Sequence, residues 1–155
     1  MKTSTPSTRQ RNDTRWFYTL SILFIAASLF TATTGQALAQ QGHAASLYAK
    51  CAAACHACST ECDACNKHCL GMVAAGDKAH LKSAKISADC KVICDAAAKI
   101  CEQKGPLSTD ICEACIKACD TCAAECAKSP RMAPMAACKK ACDQCVAACK
   151  LMIAG

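Results

Sequence analysis

Residues 51–69 read CAAACHACSTECDACNKHC, with six cysteines at successive steps of 4, 3, 4, 3 and 4. Side chains three and four apart on an α-helix share one face, with Cβ atoms ~5–6 Å apart. The spacing therefore predicts a single stripe of thiols on one helix. The residues between them are mostly alanine and polar. A helix in a bundle normally carries Leu or Ile on its inward stripe, so sulfur here stands where the apolar seam should be.

The rest of the chain has little else from which to build a core. Hydrophobic residues make up 53% of the 155, but the share depends on Ala and on 18 Cys. Of the six aromatic residues, Trp16, Phe17, Tyr18, Phe24 and Phe30 precede residue 40, leaving Tyr48 alone beyond it. Large side chains each contribute ~1.5–3 kcal/mol when buried. With so few of them, something besides apolar packing should help to hold the fold, and the cysteines are the candidates.

The first 39 residues read as a signal peptide. Lys2, Arg9, Arg11 and Arg15 form a positive head, residues 20–30 an apolar run, and Ala37-Leu38-Ala39 a small-residue cleavage site. The apolar run is shorter than the ~20 residues that a membrane span needs. Export to the periplasm is the expectation, with a mature domain of residues 40–155. Without the leader, 14 basic residues face 11 acidic ones, so the formal charge falls from +6 to +3. Such a mild charge predicts no nucleic-acid partner. Export also poses a chemical question, because thiols outside the cytoplasm tend to become disulfides.

Four helices follow from alanine content, helix-stop residues and cysteine spacing. The first covers about 44–72, and Gly71 and Gly76 weaken its end. Asp77 offers a cap for a second helix over 78–104, whose inward trace runs through His80, Ser83, Ser87, Cys90, Cys94, Ala97 and Cys101. Ile86, Ile93 and Ile100 form an apolar flank beside it, and Gly105-Pro106 stops it. Ser108 or Thr109 should cap a third helix bearing Cys112, Cys115, Cys119, Cys122 and Cys126. Ser129-Pro130 should open the fourth, with Cys138, Cys142, Cys145 and Cys149 on its stripe, Met135 one step before them and Met152 one step after. Short connections favour antiparallel neighbours. The expected fold is all-α: an antiparallel up-down four-helix bundle with a Cys-lined interior. Outward charged residues, including pairs such as Glu113 with Lys117, read as a solvated face.

Several chemistries could fill a sulfur-lined interior. Thiols at i and i+4 on one helix match disulfide geometry poorly, although bridges between helices remain open. Zinc needs discrete groups of four ligands, and each group of four thiolates leaves two excess negative charges. Iron–sulfur clusters usually take their cysteines from irregular loops. Monovalent copper is soft and thiophilic, and is satisfied by two or three sulfurs. If each thiolate bridges two ions, the charges cancel and no unpaired charge is buried. The C-x2-C pairs also admit a thiol-redox reading, which would require an exposed low-pKa cysteine at a helix N-terminus; these pairs lie mid-helix. A disulfide-rich structural bundle is the remaining alternative.

The pattern resembles the copper storage proteins, a family of four-helix bundles that hold Cu(I) inside. The residues that carry the resemblance are Cys51, Cys55, Cys58, Cys62, Cys65 and Cys69; Cys90, Cys94 and Cys101; Cys112, Cys115, Cys119, Cys122 and Cys126; and Cys138, Cys142, Cys145 and Cys149. It implies a non-catalytic protein that binds and stores many Cu(I) ions, for supply to copper enzymes or for detoxification. It also implies exchange with a copper chaperone or client enzyme, and a homo-oligomer, in exported members a tetramer. Exported members carry an adjacent arginine pair; this chain has Arg9-Gln10-Arg11.

In an antiparallel bundle the end of helix 1, the start of helix 2, the end of helix 3 and the start of helix 4 share one pole. That pole holds His68, Met72, His80, Met132 and Met135. Met72 and Met135 extend their ladders by one step and His80 lies on the inward trace, so these three should face the axis, with His68 beside the stripe. A thioether binds Cu(I) without losing a proton, which suits an exchangeable receiving site, and the family likewise has His and Met ligands at its open mouth. Met72, His80, His68 and Met135 are the candidate mouth ligands. His43 and His56 read as surface residues.

Overall fold

The structure is a computed structural model that describes the backbone of residues 13–155 and the side chains of residues 42–155. The expected signal peptide, 1–39, lies outside the residues whose side chains are described. The chain divides into two compact units, Met1–Gly42 and His43–Gly155. Four α-helices are present among the described residues: α1 (Asp13–Ala74), α2 (Leu81–Glu102), α3 (Ser108–Cys126) and α4 (Ala133–Ala154), with a 3-10 turn, Lys78–His80, leading into α2. Among the described residues there is no strand, and no helix is long and apolar enough to cross a membrane.

Within the second unit the thiol contacts fix the helix directions. Cys51, Cys58 and Cys65 of α1 meet Cys112, Cys119 and Cys126 of α3, each pair 61 residues apart, so α1 and α3 run parallel. Contacts between α1 and α4 run the other way: 51 meets 149, 55 meets 145, 58 meets 142 and 62 meets 138. Cys101, at the end of α2, touches Cys51 and Cys112, both at the start of their stripes, so α2 is antiparallel to α1 and α3. This is the expected up-down bundle.

Helix ends are set by local backbone chemistry. Gly76 adopts φ +101°, Asp77 N–H donates to Met72 O at 2.9 Å and Gly76 N–H to Val73 O at 3.0 Å. That pair of bonds satisfies the last carbonyls of α1, and the left-handed residue it needs is most easily glycine. Asp77 then caps the 3-10 turn as expected, accepting from Ala79 N–H at 3.1 Å.

The end of α2 repeats the motif with a different residue. Gly105 N–H bonds Ile100 O and Lys104 N–H bonds Cys101 O, each at 3.0 Å, but here Lys104 takes the left-handed turn at φ +50°. Gly105 lies against Ile100, where an added Cβ would sit 3.4 Å from Cγ2. The expected stop at Gly105-Pro106 is therefore displaced: Lys104 reverses the chain, and Gly105 allows the close approach.

Two expected caps are corrected. Leu107, not Ser108 or Thr109, occupies the cap position of α3. The Ser108 hydroxyl turns back to donate to Gly105 O at 2.6 Å, a local bond that competes with capping. At α4 the cap position is Met132, with Pro134 in the first turn. Ser129-Pro130 instead forms a preceding turn, in which Met132 N–H donates to Ser129 O at 3.1 Å. Proline is tolerated in the first turn because its missing N–H has no intrahelical partner there, and of the two prolines it is Pro134 that fills this role. On the outer face, ion pairs at i,i+4 form at Asp63–Lys67, Lys91–Asp95 and Lys139–Asp143 rather than at Glu113–Lys117.

Candidate metal centre

All eighteen cysteines are buried free thiols. They form one connected lattice rather than separate pairs. At the pole opposite the mouth, Cys51, Cys101 and Cys112 lie 3.5–3.8 Å apart, and Cys149 stands 3.6 Å from Cys51. Midway, Cys58, Cys90, Cys119 and Cys142 form one set of four whose sulfurs lie within 4.8 Å of one another, and Cys58, Cys94, Cys119 and Cys145 form another. Further sets are Cys55, Cys115, Cys145 and Cys149, and Cys62, Cys122, Cys138 and Cys142.

These separations match soft-metal coordination. With metal–sulfur bonds of about 2.3 Å, three- or four-coordinate sites place their sulfurs about 3.8–4.0 Å apart. The sets share members: Cys58, Cys119, Cys142 and Cys145 each belong to two. The four sets cannot all be filled at once as independent tetrahedral zinc sites, whereas a thiolate bridging two monovalent ions uses such sharing directly. A buried lattice of this kind also has to be charge-compensated, and one monovalent cation per thiolate does that.

Burial favours the protonated form of one thiol at each end of the empty lattice, Cys69 and Cys101. It pushes the Cys69 thiol up to about 12 and the Cys101 thiol up to about 11. The Cys65 thiol is also raised, first through its contact with Cys126 and then by burial. A metal must therefore displace protons to bind.

The mouth candidates divide. Met135 is buried, with Sδ 3.3 Å from Cys65 Sγ and 3.6 Å from Cys69 Sγ. It continues the α1–α4 ladder, meeting Cys65 where a further cysteine would stand. His80 is buried on the inward trace of α2; its Nδ1 lies 3.1 Å from Asp77 Oδ2 but out of line for a hydrogen bond, and so has no hydrogen-bond partner. His68 is half-buried, and its Nε2 is likewise buried without a partner. Met72 is only half-buried, and the thiol–thioether contacts at this pole are made by Met135. Met132 packs half-buried against the core, and His43 and His56 are exposed as expected.

Toward the mouth α2 supplies no thiol. Ser83 and Ser87 are buried there, as the inward trace predicts. What the sequence reading missed is Glu125, grouped with the solvated charges. It is only 8% exposed, accepts a hydrogen bond from Ser83 Oγ at 3.2 Å and pairs with Lys128 at 2.6 Å. Its position next to Cys126 in the stripe was the one available sign. Lys128 holds its carboxyl below the ordinary range.

Residues 44–154 match the family model described as copper storage protein, Csp. The chain belongs to the copper storage protein family. Solved structures of the family resemble it over most of their own length. A cytosolic copper storage protein from Streptomyces lividans, captured during copper loading with five coppers, is 28% identical at a TM-score of 0.67, covering 74% of this chain and 98% of that one. A Cu(I)-bound copper storage protein, BsCsp3, is 29% identical at a TM-score of 0.61, covering 68% and 98%. A double histidine-to-alanine variant of the Streptomyces lividans Ccsp is 28% identical at a TM-score of 0.63, covering 70% and 94%. Among curated proteins no match was found. The comparison corrects one expectation: the Streptomyces lividans relative is a cytosolic protein, so the periplasmic, exported assignment of this family member is withdrawn.

Proposed function

We propose that residues 40–155 form a non-catalytic store for many Cu(I) ions, held by the eighteen inward cysteines as bridging thiolates. The observation that carries this reading is the lattice itself: buried thiols at 3.5–3.9 Å, shared between overlapping sets of three and four. Sulfur selects Cu(I) over harder ions, and sharing lets the ion count approach the thiol count without leaving buried charge. Loading begins at the mouth, where Met135, His80 and His68 offer ligands and Met72 stands at the edge, and proceeds inward by exchange between neighbouring thiolates. A copper chaperone or client enzyme of comparable affinity takes ions back out. A homo-oligomer, as the resemblance to the family implies, belongs to the same reading.

An anaerobic Cu(I) titration of the reduced protein against a competing chelator tests the reading. Storage requires uptake of many equivalents with parallel loss of thiols reactive to a labelling reagent. Uptake of one or two ions, or most thiols found already oxidised in freshly isolated protein, would overturn it. A thiol-redox protein would instead show one hyper-reactive cysteine pair.

A further inference from the structure

A groove of about 390 Å³ runs between α1 and α2, close to the pole opposite the mouth. Its lining includes His56, Glu102, Tyr48 and Cys101, and its α1 wall is built largely of alanine. Cys101 is part of the lattice, 3.8 Å from Cys51 and 3.5 Å from Cys112. The groove thus brings an imidazole and a carboxylate at the surface beside Cys101, a residue that is itself fully buried and whose thiol already belongs to the store.

The imidazole is held as metal-binding histidines usually are. His56 Nε2 lies 2.8 Å from Glu102 Oε1. A carboxylate can only accept, so Nε2 carries the proton, and in the neutral ring Nδ1 is then the nitrogen with the free lone pair. A hydrogen bond from the second ring nitrogen to a carboxylate is the usual support for a metal-ligating histidine. His56 is half exposed, at 49%, and so can meet a ligand from solution.

We propose that this groove is a second, lateral exchange point for Cu(I), with His56 as the receiving ligand and Cys101 as the link to Cys51 and Cys112. The proposal rests on the interior being the copper store, and adds a route that does not pass the mouth. The ion keeps its oxidation state throughout. It exchanges a sulfur ligand for a nitrogen ligand and then for the acceptor's own donor, and the thiolate it leaves takes back a proton from water. An occupant of the groove is therefore a soft-donor copper carrier, a small thiol or a chelator, rather than an organic substrate.

The test uses the full chain loaded with Cu(I) and a bidentate Cu(I) chelator as acceptor, following release optically. In His56→Ala the number of ions held at saturation should stay unchanged while release slows by about tenfold, the scale on which altering a metal-supporting residue acts. Ala53→Phe, an exposed position on the groove wall, covers the groove without touching the lattice and should slow release in the same way. Glu102→Gln should fall between wild type and His56→Ala. Release rates matching wild type in both His56→Ala and Ala53→Phe would overturn the proposal, and so would a lower capacity in His56→Ala, which would make that residue a storage ligand. Failure of the wild-type chain to load would instead overturn the store itself, and the lateral route with it.

Discussion

Cys58 Sγ lies 3.7 Å from Cys119 Sγ, and the two belong together to both of the four-sulfur sets at the middle of the bundle. The same offset of 61 residues joins Cys51 to Cys112 and Cys65 to Cys126, so one register aligns two parallel helices along the whole lattice. Cys119 touches sulfur from α1, α2 and its own helix. Replacing it should therefore disturb more copper than replacing an end residue. Cys119→Ala should lower the number of Cu(I) ions bound by more than Cys101→Ala does, in parallel titrations. Each variant should cost the empty bundle only on the order of 1 kcal/mol, the scale of a small core deletion, read by chemical denaturation.

Copper should stabilise the fold step by step. The core is made mainly of Cys and Ala, with Met135, Val146 and Met152 as its larger buried members, so the empty bundle has little large apolar surface to hold it. A ligand bound only by the folded state contributes about 2.7 kcal/mol when present at about a hundred times its dissociation constant. Melting temperature should rise with each added equivalent until saturation. A melting curve that does not move across many equivalents would count against the interior as the binding site.

Protonation gives the empty protein an alkaline limit. Burial raises the Cys69 thiol to about 12 and the Cys101 thiol to about 11, from a value of 9.0 for a free thiol. A raised pKa means that the folded state favours the protonated form, so the stability these groups contribute is fully present below about pH 9. It is lost progressively as pH rises from about 9 to the folded values of about 11 and about 12. Anaerobic melts of the empty protein should show falling stability across that interval. Copper binding carries the opposite dependence, because each ion displaces protons, and its apparent affinity should rise with pH below the same limit.

Much of this arrangement was legible in the cysteine spacing, because steps of three and four fix which residues share a helix face whatever the neighbours are. That is why the inward trace of α2, through His80, Ser83, Ser87 and Ala97, is found buried as expected. Contacts that depend on a second helix were not legible. Glu125 looks like any surface acid until Ser83 is placed against it from α2, and His56 looks like a surface histidine until Glu102 closes on it. Helix ends were partly legible. Two prolines, Pro130 and Pro134, both suit a first turn, and the choice of the second cannot be made from residue preference alone. The mouth shows the same limit: Met72 and Met135 are each one step from a cysteine ladder, yet only Met135 reaches the thiols.

Lys104 holds the left-handed position that closes α2, at φ +50°. A residue with a Cβ is strained there by roughly 1–2 kcal/mol, a cost that glycine avoids. Gly76, in the equivalent place after α1, has φ +101°. Lys104→Gly should therefore stabilise the empty bundle by up to about 1 kcal/mol, the gain being reduced by glycine's greater freedom in the unfolded chain. Denaturant midpoints compare the two. A loss of stability would mean that the Lys104 side chain contributes more than its backbone costs.

Met135 separates packing from ligation at the mouth. Its thioether lies between Cys65 and Cys69 at the end of the α1–α4 ladder, fully enclosed. Leucine has nearly the same volume, and such exchanges in a core usually cost less than about 1.5 kcal/mol. It offers no donor atom, however. If Met135 is only a filler, Met135→Leu should load copper as the wild type does. If its sulfur receives the ion, the variant should keep its fold and nearly all of its capacity, yet take up the first equivalents more slowly in stopped-flow mixing. His80→Ala should slow the same phase, since His80 Nδ1 is a buried nitrogen donor without a hydrogen-bond partner just ahead of α2 at the mouth. Combining the two substitutions should then slow uptake through the mouth further than either alone, because an ion arriving there without both donors more often has to displace a proton held by a buried thiol, Cys65 or Cys69, directly.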